Sequence, residues 1–386
     1  MHFILFDEPS IRQGLLPFTF TRPVAEVRIG ILTIAEKWRL RSGLDVSYIT
    51  EEYLSDRFTL NPGKENVFIN GGVCPTDDLV AKIIGLKDGE VIVKDGVIIA
   101  YKKVAEGKQI EFKGALNIIR RPWDIFLNNG KEITEDFDLI TKGRTSAPLS
   151  DPYTRIYNQE RIFIEEGVSI KAAILNAENG PIYLGKNSEV MEGAIIRGPF
   201  ALGEGASVSM GAKFRGDTTV GPYSKIGGEV SNSVIFGYSN KAHEGFLGNS
   251  VIGEWCNIGA DTNTSNLKNT YSEVQVYSYK EQDFVNTGKM FCGLLMADHS
   301  KCGINTMFNT GTVVGVNANI FGEGYPAKFV PSFAWGGDKN YSRYNFEKVV
   351  QVAERVMGRR NIQLSKEEIK ILRHVYEIED QQVRNF

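Results

Sequence analysis

The chain is short of the residues that most often hold metals or cross-link secreted proteins. It has four histidines and four cysteines in 386 residues, and Cys74, Cys256, Cys292 and Cys302 are scattered without a CxxC pair. That pattern excludes a zinc ribbon or a disulfide framework and leaves reduced thiols as the expectation. An excess of one charge sign is also missing, because 44 basic residues face 47 acidic ones. Such a balance argues against tracking a nucleic acid backbone or a membrane surface, so any phosphate is held locally. No apolar run approaches the ~18 residues of a membrane span, and MHFILFDEPS lacks a basic leader and a small-residue cleavage site. The expected location is therefore the cytoplasm, without membrane insertion. Glycine is abundant, with 40 copies, and its placement carries the information.

Three regions follow one another. Over 1–150 short apolar strands (FILF, DVSYIT, VFIN) alternate with helical patterns (ILTIAEKW, TDDLVAKIIGL), followed by a hairpin at Asp95-Gly96. This alternation predicts an α/β layer with a largely parallel sheet. From Leu184 the rhythm is a strict six: Val190, Ile196, Leu202, Val208, Phe214, Val220 and Ile226 are apolar in turn. After a two-residue slip the register is expected at Val234, Phe246, Ile252 and Ile258, and again at Met290, Met296, Cys302, Phe308, Val314 and Ile320. A period of six fits neither a helix nor a simple two-residue alternation, and predicts a parallel β-helix over 155–335. Helical spacing returns in the third region, 340–386, where Ser365 and Glu368 form a candidate capping box.

The repeat resembles that of hexapeptide-repeat acyltransferases, and the resemblance sharpens at NKAHEGFLGNSVIGEWCNIGADTNTSN (240–266). That run is similar to the acetyltransferase half of the bifunctional UDP-N-acetylglucosamine pyrophosphorylase/glucosamine-1-phosphate acetyltransferases. GYPAKFV (324–330) likewise resembles the exit sequence of many hexapeptide acyltransferases. The resemblance implies a multidomain chain: an α/β nucleotidyltransferase-like N-terminal domain, a left-handed parallel β-helix, and a short C-terminal helical segment. It implies an acetyl-CoA-dependent N-acetyltransferase acting on an amino-sugar phosphate in nucleotide-sugar synthesis, assembled as a homotrimer. UDP-sugar pyrophosphorylase activity is left open.

By this resemblance His243 is the catalytic base, with His299 as its rival. Histidine suits the role because its charge changes near working pH. Lys213 and Arg215 are implied on the sugar phosphate, Phe246, Asn257, Asn266 and Lys268 on the sugar, the Ala260 backbone near the thioester, and Lys328 by the coenzyme A phosphates. Phe246 stands where the family has Tyr, Asp261 where it has Gly, and NLKN where it has NYDG. The insertion at 271–291 is expected to act as a lid. In the first domain Arg12, Thr19 and Arg22 fall in the stretch corresponding to the nucleotide loop, but the loop's glycines are missing. Asn70-Gly71-Gly72-Val73 replaces Asn-Gly-Asp-Val, so a metal carboxylate is absent there, with Asp77 or Asp78 as substitutes. Metal ligands stay unassigned, and Mg²⁺ is expected only with an active first domain, which would use UTP or dTTP. The alternatives are a sugar-1-phosphate nucleotidyltransferase whose β-helix oligomerises, and a non-catalytic sugar-nucleotide-binding scaffold.

Overall fold

A computed structural model describes residues 1–337 and 341–383; residue 340 and the last three residues of the expected C-terminal segment lie outside the described residues. The chain divides into two compact units: Met1–Arg28 with Leu32–Arg121, and Ile29–Ile31 with Pro122–Phe386.

The first unit is built on a six-stranded sheet in the order Val46–Ile49, His2–Phe6, Asn66–Asn70, Val97–Lys102, Glu90–Lys94, Lys108–Glu111. The sheet is largely parallel, as expected: the first three strands form one parallel block, and Glu90–Lys94 runs parallel to Lys108–Glu111. Val97–Lys102 runs antiparallel to both neighbours, because the tight Asp95-Gly96 turn, with both residues at positive φ, returns the chain beside Glu90–Lys94. The helical pattern at 31–38 begins as a two-residue strand and becomes helix at Ile34–Ser42, where Thr33 and Glu36 close a capping box.

The second unit is a parallel β-helix. Among the described residues its three sheets have nine, ten and six strands. Leu184, Leu202 and Val220 pair in register one coil apart, as do Val190, Val208 and Ile226 on the next face. One side chain per face points inward, and these residues are buried in one apolar cluster. Each such side chain contributes ~1.5–3 kcal/mol through burial. Just past Ile226 the expected register is wrong by one place: the inward residues are Val230, Ile235, Lys241 and Leu247, whereas Val234 and Phe246 face outward of this cluster; it is right again at Ile252 and Ile258. The six-residue count fails because three corners are short: the one at Gly227-Gly228, the one between Val230 and Ile235, and the one between Leu247 and Ile252. Met290 is exposed on the insertion, and the register resumes at Leu294 and Met296.

One column of corners carries Tyr223, Tyr238, Trp255 and His299, all at φ between 54° and 61°. Left-handed backbone is costly for such residues, and stacking offsets it: successive ring centroids lie 5.3, 4.3 and 6.3 Å apart and within 17° of parallel. No helix among the described residues is long and apolar enough to cross a membrane.

Two helices, Phe346–Gly358 and Lys366–Val383, follow the last coils. The expected capping box forms, Glu368 N–H donating to Ser365 Oγ at 3.1 Å and Ser365 N–H to Glu368 Oε2 at 2.9 Å. Glu379 ties the second helix to the coil by accepting the Ser332 amide at 3.2 Å. Burial pushes its carboxyl up to about 7, so the native state retains a proton that the unfolded chain loses above about 4.5. Stability should therefore fall as pH rises from about 4.5 to about 7, by at most about 3 kcal/mol. Urea melts across that range should show the loss in the wild type and not in Glu379→Gln.

Candidate functional site

His243 sits at a corner of the β-helix, between Asn240–Lys241 and Phe246–Gly248. Inward residues on either side commit Lys241 and Leu247 to the interior, and the turn between them carries the imidazole out to solvent. It opens on a cavity of about 570 Å³ shared with Asn240, Asn257, Lys225, Lys301 and Trp255, and closed by Val356, Arg359 and Arg360. Lys225, Asn240 and Asn257 are consecutive rungs of one outward row, and Lys301 is the next. Asn240 donates to Asn257 Oδ1 at 2.9 Å, which leaves the Asn257 amide nitrogen to face the cavity contents.

The electrostatics are one-sided. Lys225, Lys301, Arg359 and Arg360 line the cavity, and among the described residues no carboxylate does. Burial pushes the Lys301 ammonium down to about 8, with its Nζ donating to His299 O at 2.7 Å. Burial and then Arg359 hold Arg360 below its usual value. An anion would relieve both, since opposite charge restores the protonated form that desolvation disfavours. The geometry thus brings an imidazole, an amide donor and a cluster of cations around one space.

Other expected residues fall elsewhere. Lys213 and Phe246 lie in one row on the neighbouring six-stranded sheet, with Glu229 between them, and Arg215 pairs with Glu229 at 3.5 Å. Ala260 lies at the next corner along, its carbonyl accepting the Asn305 amide. Asn266 donates to Asn249 Oδ1 at 2.8 Å, Lys268 to Glu273 O, and Lys328 to Gln275 O at 2.8 Å. Lys268 and Lys328 thus brace the insertion, Asn266 ties two corners of the coil together, and none of the three lines the cavity. The insertion is no lid over His243: its hairpin, Gln275–Ser278 with Asp283–Asn286, packs Tyr277 on Phe329 at 3.7 Å between centroids. Its apolar residues Val274 and Val276 are buried there, so the excursion is clamped to another face. His299 is a buried rung of the aromatic column beneath Trp255.

In the first unit Arg12 is buried and saturated. Its guanidinium reaches Asp7 at 2.8 Å, Thr19 O at 2.6 Å and Tyr53 Oη at 2.9 Å, while Thr19 Oγ donates back to Arg12 O. Burial raises the Asp7 carboxyl against the opposing pull of Arg12. Arg22 is buried too, its carbonyl accepting from Arg12. These groups occupy the carboxyl end of the parallel strands, where open α/β sheets bind ligands. Asn70 is tied to the Gly72 amide and Ile98 O, and Asp77 to Arg41. Among the described residues no three His, Cys, Asp or Glu side chains group to hold a metal ion.

Sequence reasoning missed Lys225, Lys301, Arg359 and Arg360. The signal for the two lysines was there: each immediately precedes an inward residue, as Asn257 precedes Ile258. The arginines stand in a tail expected only to pack.

Fold and site together define a left-handed hexapeptide-repeat β-helix that follows, along the chain, a nucleotidyltransferase-like unit. Residues 3–145 match the family described as sugar nucleotidyl transferase. The chain is 33% identical over 274 residues to the bifunctional protein GlmU of Methanocaldococcus jannaschii, covering 67% of this chain and 57% of that one. It is 30% identical over 216 residues to a bifunctional sugar-1-phosphate nucleotidylyltransferase/acetyltransferase of Sulfurisphaera tokodaii, covering 55% and 47%. The chain thus spans about half the length of the curated relatives it matches. Among solved structures, the polySia-specific acetyltransferase NeuO aligns with a TM-score of 0.26 at 15% identity, over 51% of this chain and 84% of that one.

The cation cluster makes a direct prediction. Inorganic pyrophosphate should raise the melting temperature of the wild type by mass action, and the rise should shrink by at least half in Arg359→Ala/Arg360→Ala. Differential scanning fluorimetry at low salt reads it.

Proposed function

We propose that the chain is an acetyl-CoA-dependent N-acetyltransferase acting on an amino-sugar phosphate. The observation that carries this reading is the exposed His243, sharing its cavity with Asn257 and four cations and no lining carboxylate. An amine nucleophile arrives protonated, gives up its ammonium proton to solvent to become nucleophilic, and sheds a second proton as its nitrogen bonds to the thioester carbon. His243 takes that proton, the C–S bond breaks, and the proton leaves with the thiolate as free coenzyme A. The Asn257 amide is a donor suited to the oxyanion, and the cations suit the phosphate. The relatives named as acetyltransferases support the same class of reaction. A homotrimer in the cytoplasm belongs to this reading, as does nucleotide-sugar synthesis as its setting. His243→Ala should lower thiol release from acetyl-CoA at least ~100-fold with the melting temperature kept. A rate equal to wild type would remove His243 from the mechanism.

A second activity, sugar-1-phosphate nucleotidyl transfer with Mg²⁺, is favoured by the family match over 3–145. The buried network of Asp7, Arg12 and Thr19 works against it, because those groups are already spent on one another. Pyrophosphate release from UTP or dTTP with a sugar phosphate decides the matter. The geometry favours release at background level.

A further inference from the structure

The interior of the β-helix is apolar at its inward positions up to Ile235, and then carries Lys241, 4% exposed, in register with Ile226. Its stem lies among Ile226, Ile235, Ile252 and Ile258, which line one small void with it. Taking an ammonium out of water is expensive unless its donors are filled. Here they are filled by three backbone carbonyls: Gly227 O at 3.1 Å, His243 O at 2.8 Å and Glu244 O at 3.4 Å. An ammonium has three donors and no acceptor, so the three carbonyls match the charged form.

The short corner explains why a lysine belongs there. At ordinary corners a backbone amide of each coil donates to the coil before: Gly211 to Glu192 O at 3.0 Å, Asp261 to Glu244 O at 3.1 Å, Asn305 to Ala260 O at 2.8 Å. The corner preceding that of His243 is cut to Gly227-Gly228-Glu229 between inward Ile226 and Val230, where Val208 and Phe214 have five residues between them. Among the described residues no backbone amide of 242–245 donates to the shortened coil. The imidazole-bearing turn has therefore lost its usual tie to the turn beneath it. Lys241 Nζ supplies the missing tie from inside, bridging the carbonyls of both corners.

We infer that Lys241 is a positioning residue for His243: its ammonium pins the 242–245 turn to the truncated corner at Gly227 and so fixes where the imidazole projects. The inference rests on the assignment of His243 as the base. It accounts for a charged side chain in a core where an apolar one would pack better.

The test is Lys241→Met, similar in length and unable to donate. Removing the ammonium leaves the Gly227, His243 and Glu244 carbonyls without their donor, so the melting temperature should fall modestly while the coil stays folded. Amide hydrogen exchange at 242–246 should quicken at least ~10-fold, and kcat for thiol release should fall at least ~10-fold with KM for acetyl-CoA unchanged. Lys241→Gln, which keeps a donor, should fall between wild type and Lys241→Met, and it serves if Lys241→Met does not fold. Wild-type kcat in Lys241→Met, alongside an inactive His243→Ala, would overturn the inference while leaving the proposed reaction standing. If His243→Ala is fully active, the assignment of His243 as the base fails, and the exchange rates alone decide whether Lys241 holds the turn. Unchanged exchange there overturns it.

Discussion

Parallel backbone hydrogen bonding from each coil to the next is the constraint on which the second unit depends. It leaves the chain no freedom to choose its neighbours: a residue's partner is whatever lies one circuit away, so a side chain's face and height are set together. A row of outward residues is thereby brought to the regular spacing of adjacent strands, although its members are 15 to 44 positions apart in the sequence, as Lys225, Asn240, Asn257 and Lys301 are. The cavity is a by-product of that ruler. Its far wall comes from helical residues, Val356, Arg359 and Arg360, that the ruler does not place.

Much of the solenoid was legible because an inward residue every six places is a strong signal and its physical cause is local. The eight positions from Leu184 to Ile226 are all buried. The register failed at Val234 and Phe246 because a count by sixes assumes corners of constant length, and a Gly-Gly pair permits a tighter one. The insertion defeated the count at Met290 for a similar reason: nothing in a polar run states where the chain rejoins the coil. The sheet of the first unit was legible as well: it is largely parallel, and the Asp95-Gly96 hairpin supplies the strand that runs the other way.

The site was legible in part. His243 and Asn257 share a cavity, and both lie in the stretch where the family resemblance is sharpest. Lys213 and Arg215 were read as phosphate cations but lie on the six-stranded face, Arg215 against Glu229. The cations that line the cavity came from positions whose significance is purely three-dimensional. Arg12 and Thr19 show the opposite case, in which residues at a strand end turn inward and satisfy one another. Sequence cannot tell a waiting guanidinium from a saturated one.

The aromatic column has an optical consequence. Trp255 is stacked against Tyr238 and His299 and also lines the cavity, so excitation absorbed along the tyrosines can pass to an indole that borders the ligand space. The fold has in this way wired a fluorophore into its own wall. A ligand in the cavity would change the surroundings of Trp255, and with them that residue's share of the emission of the chain's four tryptophans.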